Sequence, residues 1–161
     1  MHKIVFLLGS NQGGQGKNLQ IAGDLIEKQL GRIIMASSIY ETEPWGFKSE
    51  DQFLNQALLI HSAADPKGIL NIIQYIEQDM GRERGPNFYT SRSIDIDIVF
   101  IDQLIINEPE LSIPHPLMHL RKFVLVPLNE IIPAYIHPVK DMTIEQLLEH
   151  CEDDLEVKLW N

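Results

Sequence analysis

Apolar residues recur with two different periods along this chain. KIVFLLG (3–9) is a continuous apolar run closed by glycine and reads as a buried first strand. Residues 17–30 carry Leu19, Ala22, Leu25, Ile26 and Leu30 at helical spacing, and Gly31 supplies a stop. IIMASSIYET (33–42) reads as a second strand and QFLNQALLIHS (52–62) as a third, with the Pro- and Gly-bearing loop TEPWGFKSED between them. Asp65-Pro66 offers an N-cap and a first-turn proline for a helix whose inner stripe is Ile69, Ile72, Ile73, Ile76 and Met80, ended by Gly81. SIDIDIVFI (93–101) is a fourth strand, which Asp102-Gln103 turns back into LII.

The order β-α-β-β-α-β predicts an α+β, ferredoxin-like fold: an antiparallel sheet with both helices on one face, its other face open to ligands. Past residue 107 the pattern weakens. Thr143 with Gln146 makes a capping box for a short helix, and LEVKL (155–159) suits an edge strand. With no repeat, low-complexity tract or linker, residues 1–161 read as one domain with C-terminal additions.

Asp95 and Asp97 interrupt the fourth strand with only Ile96 between them. A strand's period of two sends both carboxylates to one face and Ile94, Ile96 and Ile98 to the other, with the acidic face continuing as Val99 and Ile101. Their Cβ atoms then lie roughly 6–7 Å apart, and at an effective dielectric of 20 they repel by about 2–3 kcal/mol. Such a pair needs open water or a cation. The preceding GRERGPNFYTSR (81–92) carries Arg82, Arg84 and Arg92 against Glu83, so its local charge is +3 − 1 = +2 in a chain whose net charge is −10. Those arginines suit plain surface solubility. Beside a carboxylate pair, they also suit magnesium with a polyphosphate: the carboxylates hold the metal and the guanidinium forks take the remaining negative charge.

The overall charge of −10 argues against a nucleic-acid or anionic-membrane surface, both of which need a broad basic face. Cys151 is the single cysteine, so no internal disulfide forms and a reducing, cytoplasmic setting is expected. IVFLL near the N-terminus is too short for a signal-peptide core or a membrane span. No obligate protein partner is evident.

Other motifs divide in the same way. GSNQGGQGKN (9–18) fails as a Walker-A loop, because Asn11 stands where the first glycine is needed and Asn18 where Ser or Thr should follow the lysine. Phe53 and Asn55 share a strand face: an aromatic plate beside an amide suits a flat heterocycle, but by sequence alone a core side chain beside a local cap is the favoured reading. His115 and His119 lack a third zinc ligand, and Pro116 spoils a helical i, i+4 pair, so phosphate contact by His115 and Arg121 is the better reading. Phe123 is a second aromatic plate or core.

Together these stretches resemble the 6-hydroxymethyl-7,8-dihydropterin pyrophosphokinases of folate biosynthesis over nearly the whole chain. The resemblance is carried by LLGSN (7–11), YETEPWG (40–46), FLNQAL (53–58), IEQDMGRER (76–84), RSIDIDI (92–98), IPHPLMHLRKFVLVPL (113–128) and EIIP (130–133). It implies transfer of pyrophosphate from ATP to the pterin hydroxymethyl group, with release of AMP. It further implies two Mg²⁺ ions on Asp95 and Asp97, and catalytic Arg82 and Arg92 on a loop that closes over the triphosphate. Phe53 and Phe123 would sandwich the pterin while Asn55 and Thr42 hydrogen-bond it. Gln74, Glu77, Ile98, Ser112, His115 and Arg121 match positions around the nucleotide. The chain departs from the family at Gly85, often basic in relatives, and at Phe88-Tyr89-Thr90-Ser91, where relatives carry Gly-Pro before the arginine and a tryptophan nearby. Two rivals remain: a kinase that moves one phosphoryl group and makes ADP, and a module that binds ATP without consuming it.

Overall fold

Residues 1–10, 14–42, 52–81 and 94–160 are described by a computed structural model. The strands are β1 (His2–Ser10), β2 (Ile33–Ala36), β3 (Tyr40–Thr42), β4 (Phe53–Ser62), β5 (Asp95–Ile101), β6 (Ile106–Asn107), β7 (Ser112–Ile113) and β8 (Val157–Leu159). The helices are α1 (Gln15–Gln29), α2 (Pro66–Met80), α3 (Lys122–Ile131) and α4 (Ile144–Glu149). The main sheet runs β5-β1-β4-β3-β8, with β2 also paired to β4, and every pairing is antiparallel.

The first two helices form where the periodicity puts them. Asp65 caps α2 by accepting from Gly68 N at 2.8 Å, with Pro66 in the first turn, and Ile69, Ile73 and Ile76 are buried. Gly31 follows α1 at φ 154°, where a Cβ would stand 2.0 Å from the His61 carbonyl oxygen, so only glycine fits. These helices cover one face through Ile4, Phe6, Leu8, Leu58, Ile60, Ile96 and Ile98.

Three expectations need correction. The second strand is two strands, because Ser37 leaves the ladder. Its hydroxyl accepts from Ala57 N at 2.9 Å and donates to the Ser38 carbonyl at 2.7 Å. Both predicted helices share one face, but the other face is not simply open: α3 and α4 pack Val124, Leu125, Leu128, Ile131, Ile144 and Leu147 onto Val5, Leu7, Ala57 and Val99 there. Nor does the acidic face run on to Ile101. The register slips between Val5 and Phe6, where Val5 faces Phe100 but Phe6 faces Ile98. That bulge turns Ile101 into the α1/α2 layer while Val99 and Phe100 join the α3/α4 layer. The turn at Asp102-Gln103 is present, with Leu104 N donating to the Ile101 carbonyl at 3.0 Å, and β6 beyond it forms a separate ribbon with β7.

The capping box is present, with Thr143 Oγ1 accepting from Gln146 N at 3.1 Å and Gln146 Oε1 from Thr143 N at 2.9 Å. The last strand is Val157–Leu159, paired with β3. Among the described residues no helix is long and apolar enough to cross a membrane.

Candidate active site

Strand register builds the site. Asp95 on β5 lies opposite Gly9 on β1, which lies opposite Asn55 on β4, which lies opposite Tyr40 on β3. The next row inward is Asp97, Leu7 and Ala57; the next outward pairs Phe53 with Thr42. Directly paired residues put their side chains on the same face. Asp95, Asp97, Asn55, Phe53 and Thr42 therefore share the α3/α4 face. With strands about 4.8 Å apart, Asp95 and Asn55 are separated by roughly 10 Å of sheet.

Gly9 is what leaves that interval open. A Cβ there would lie 3.0 Å from Asn55 Oδ1. Nothing but backbone stands between the carboxylates and the amide in this row. The sequence signal was a glycine closing an otherwise apolar strand, which is easily read as a plain stop.

The two ends of the row differ in wetness. Asp95 is exposed and Asp97 half-buried, whereas Asn55 and Thr42 are 3% and 2% exposed. Asn55 Nδ2 donates to Thr42 Oγ1 at 3.2 Å, a bond between strands that fixes the amide's plane. Phe53 is half-buried beside it. Phe123, in the first turn of α3, is half-buried against the apolar cluster on this face. Arg121, the N-cap residue of α3, holds its guanidinium carbon 5.8 Å from the centre of the Phe123 ring.

His115 joins the acidic and basic groups. Its backbone N–H donates to the Val99 carbonyl at 3.0 Å, which ties it to β5. Its Nδ1 accepts from Leu117 N at 3.2 Å, so in the neutral ring the proton sits on Nε2. Burial pushes its pKa below the ordinary histidine value; the Asp97 carboxylate opposes that shift and the Arg121 guanidinium adds to it. Both groups are thus within electrostatic reach of the imidazole.

The remaining candidates fall in three places. Glu77 and Gln74 lie three residues apart on α2, and Glu77 Oε2 accepts from Ile96 N at 3.1 Å, at the β5 edge between the two aspartates. Ser112 is exposed on β7. Ile98 is 7% exposed with its side chain in the α1/α2 layer, so only its backbone reaches the site face. Arg82, Arg84, Gly85, Tyr89 and Arg92 lie outside the described residues, as do residues 11–13 of the first loop and 43–51 after Thr42.

A magnesium fit follows from the donors. Mg²⁺ binds hard oxygen atoms and is usually held by one or two carboxylates plus substrate phosphates, not by an all-protein cage. Asp95 and Asp97 supply two such carboxylates on one accessible face. Among the described residues no group of three or more His, Cys, Asp or Glu side chains could hold a metal, which leaves the His115/His119 zinc reading unsupported.

Known proteins resemble this chain in sequence and in fold. Residues 5–133 match the family described as 7,8-dihydro-6-hydroxymethylpterin-pyrophosphokinase. The 2-amino-4-hydroxy-6-hydroxymethyldihydropteridine pyrophosphokinase of Porphyromonas gingivalis is 42% identical over 139 residues, 84% of this chain and 94% of that protein. The protein of the same name from Bacillus subtilis is 38% identical over 133 residues, 81% of this chain and 79% of its own length. Wild-type Plasmodium falciparum HPPK-DHPS superposes with a TM-score of 0.77 at 22% identity, over 92% of this chain and 44% of that one, a likeness of fold. This chain belongs to the 7,8-dihydro-6-hydroxymethylpterin-pyrophosphokinase family.

Proposed function

We propose that this chain transfers the pyrophosphoryl group of ATP to the hydroxymethyl oxygen of 6-hydroxymethyl-7,8-dihydropterin in folate biosynthesis, releasing AMP. The observation that carries the reading is the Asp95–Gly9–Asn55 row, with hard anionic donors at one end and at the other a buried amide that shares its strand face with Phe53. Family membership supplies the reaction type.

The pterin occupies the end of the row between Phe53 and Phe123, where a flat ring gains stacking and burial. Asn55 and Thr42 hydrogen-bond its edge with the donor and acceptor capacity that their mutual bond leaves over. The triphosphate lies toward Asp95 and Asp97, which would hold two Mg²⁺ ions. When bound, the metal offsets charge on phosphate oxygens and brings them within reach of the acceptor. The neutral His115 ring offers Nε2–H to a phosphate oxygen, and Arg121 adds a fixed positive charge. Arg82 and Arg92 are assigned to the transferring phosphates by resemblance to the family.

The hydroxymethyl oxygen forms a bond to the β-phosphorus while the bond from that phosphorus to the α–β bridging oxygen breaks. AMP leaves with the bridging oxygen, and the hydroxyl proton passes to solvent. Such a transfer is governed by alignment and charge neutralisation, so a strong general base is not required. The strand order supports a ferredoxin-like frame, with β2 and β3 standing as one interrupted strand and with α3, α4 and β8 as additions. A cytoplasmic site of action belongs to the same proposal.

Incubation with ATP, magnesium and the hydroxymethyl dihydropterin, followed by resolution of nucleotides, tests this. One AMP for each pyrophosphorylated pterin is expected. ADP would make the protein a single-phosphoryl kinase, and unconsumed ATP a binding module.

A further inference from the structure

Glu130 lies two helical turns beyond Phe123 on α3. Seven residues correspond to about 10.5 Å along the axis and a return to nearly the same azimuth. Its carboxylate gathers three donors from the chain entering β3. Tyr40 Oη donates to Oε1 at 2.5 Å, while Ser38 N and Ser38 Oγ reach Oε2 at 2.8 and 3.3 Å. Tyr40 lies opposite Asn55 in the sheet and two residues before Thr42.

We infer that the Glu130–Tyr40–Ser38 clasp is a positioning device for the pterin slot, setting the helix that carries Phe123 against the strands that carry Thr42 and Asn55. This rests on the pterin reading of that slot.

Helix α3 otherwise sits on the sheet through apolar contacts of Val124, Leu125, Leu128 and Ile131. Such contacts fix the separation of the layers but are non-directional, so they leave rotation about the helix axis and sliding along it comparatively soft. A carboxylate with three donors on one short segment is directional in both respects. The segment that offers those donors is itself anchored. Ser37 N donates to the Ala57 carbonyl at 2.9 Å, Ala57 N donates to Ser37 Oγ at 2.9 Å, and Gln56 Nε2 donates to the Ser37 carbonyl at 2.9 Å. Glu130 is therefore referenced to β4, the strand that holds Phe53 and Asn55. The local electrostatics agree with this geometry. Burial and the Glu130 partnership push the Tyr40 phenol up to about 12, and for Glu130 the Tyr40 and Ser38 hydrogen bonds outweigh burial and lower its pKa. At neutral pH the carboxylate is charged and the phenol is its donor.

Tyr40→Phe deletes one hydroxyl and keeps the ring. Its expected effect is a rise of about 3–10-fold in the Kd for the hydroxymethyl dihydropterin, measured with a non-hydrolysable ATP analogue and magnesium present. Affinity for that analogue should fall clearly less than pterin affinity, because Asp95, Asp97 and His115 are on the other side of Gly9 and Arg121 alone of the nucleotide residues is carried by α3. Glu130→Gln, which keeps an oxygen acceptor for Tyr40, should recover part of the pterin affinity that Glu130→Ala loses. In the Tyr40→Phe/Glu130→Ala double variant the losses should be less than additive. A melting temperature that falls while pterin affinity stays at the wild-type value would make the clasp purely structural and overturn the inference, as would parallel losses for pterin and nucleotide. Wild-type protein that binds no pterin and makes no AMP would instead remove the functional reading, and this inference with it.

Discussion

Replacing Gly9 by alanine separates what the fold needs from what the site needs. Gly9 does not adopt a left-handed φ, so its backbone accepts alanine. The substitution restricts the unfolded chain and on that account stabilises the protein by about 0.4–1 kcal/mol. Against this, the new methyl group meets Asn55 Oδ1 at 3.0 Å, a few tenths of an ångström inside ordinary contact, with the Leu54 carbonyl oxygen next at 3.9 Å. The amide must give way, and its 3.2 Å bond to Thr42 is what it stands to lose, worth about 0.5–1.5 kcal/mol. These opposing effects leave the net stability within about 1 kcal/mol of wild type.

Pterin binding has no such compensation. On the proposed reading a displaced Asn55 would lose its contact with the heterocycle, and the methyl group would rise from the sheet between the two proposed substrate positions. Loss of one buried hydrogen bond of about 1–2 kcal/mol corresponds to roughly a 5–30-fold weaker Kd. Urea denaturation gives the stability change, and titration with the hydroxymethyl dihydropterin in the presence of an ATP analogue gives the affinity. Unaltered pterin affinity in a folded Gly9→Ala protein would refute the role of the row. A stability loss above about 2 kcal/mol would show that the methyl group is accommodated by distorting the sheet and not by moving the amide.

Three further outcomes follow from the geometry. Asp97→Asn should fold normally and lose magnesium-dependent turnover; in wild type, magnesium with an ATP analogue at 100 times its Kd should add about 2.7 kcal/mol of stability, and in the variant little of that gain should survive. Phe123→Ala should weaken pterin binding by about 1–3 kcal/mol, measured by the same titration, and unchanged affinity would assign the ring to the core alone. His137 is 4% exposed and its Nδ1 accepts from Val139 N and Lys140 N at 3.1 and 3.0 Å, so the native ring is neutral, and burial first, then His119 and Lys140, push its pKa down to about 4. Its contribution is complete above the unfolded value near 6.5 and is lost as pH falls toward 4, by at most about 3 kcal/mol, so His137→Asn should flatten that stretch of the stability–pH curve.

Much of this frame was legible in the sequence because five elements carry their own periodicity. β1, α1, β4, α2 and β5 were placed by runs of apolar residues at spacings of two or about 3.6, with Asp65-Pro66 and Gly31 as punctuation. Helix α3 was not legible: FVLVPL is β-branched, and Pro127 inside it cannot donate to the Phe123 carbonyl. Its helicity comes from burying Val124, Leu125, Leu128 and Ile131 on the sheet, a tertiary contact that overrides local preference. The bulge at Val5/Phe6 was equally hidden, because it depends on two strands that are 90 residues apart in the chain. Within the site, each half was readable from one strand: the alternation of Asp95 with Asp97, and of Phe53 with Asn55. That the halves face each other across Gly9 depends on the registers of β5 with β1 and of β1 with β4, which no single segment contains.

That register also resolves why two carboxylates are tolerated so close together on β5. Asp95 is exposed and Asp97 half-buried, so the solvent screens their mutual repulsion. At the effective dielectric of about 20 typical of a protein surface it amounts to roughly 2–3 kcal/mol. The mutual electrostatics of the pair therefore oppose the fold, and a cation there would offset the repulsion. Stability does not explain the pair either, since either aspartate could be an uncharged polar residue at no loss to packing. What distinguishes these positions is their neighbour in the register: the acidic edge of the sheet stands one glycine away from a buried amide, where a ligand with an anionic tail and a flat head would span both.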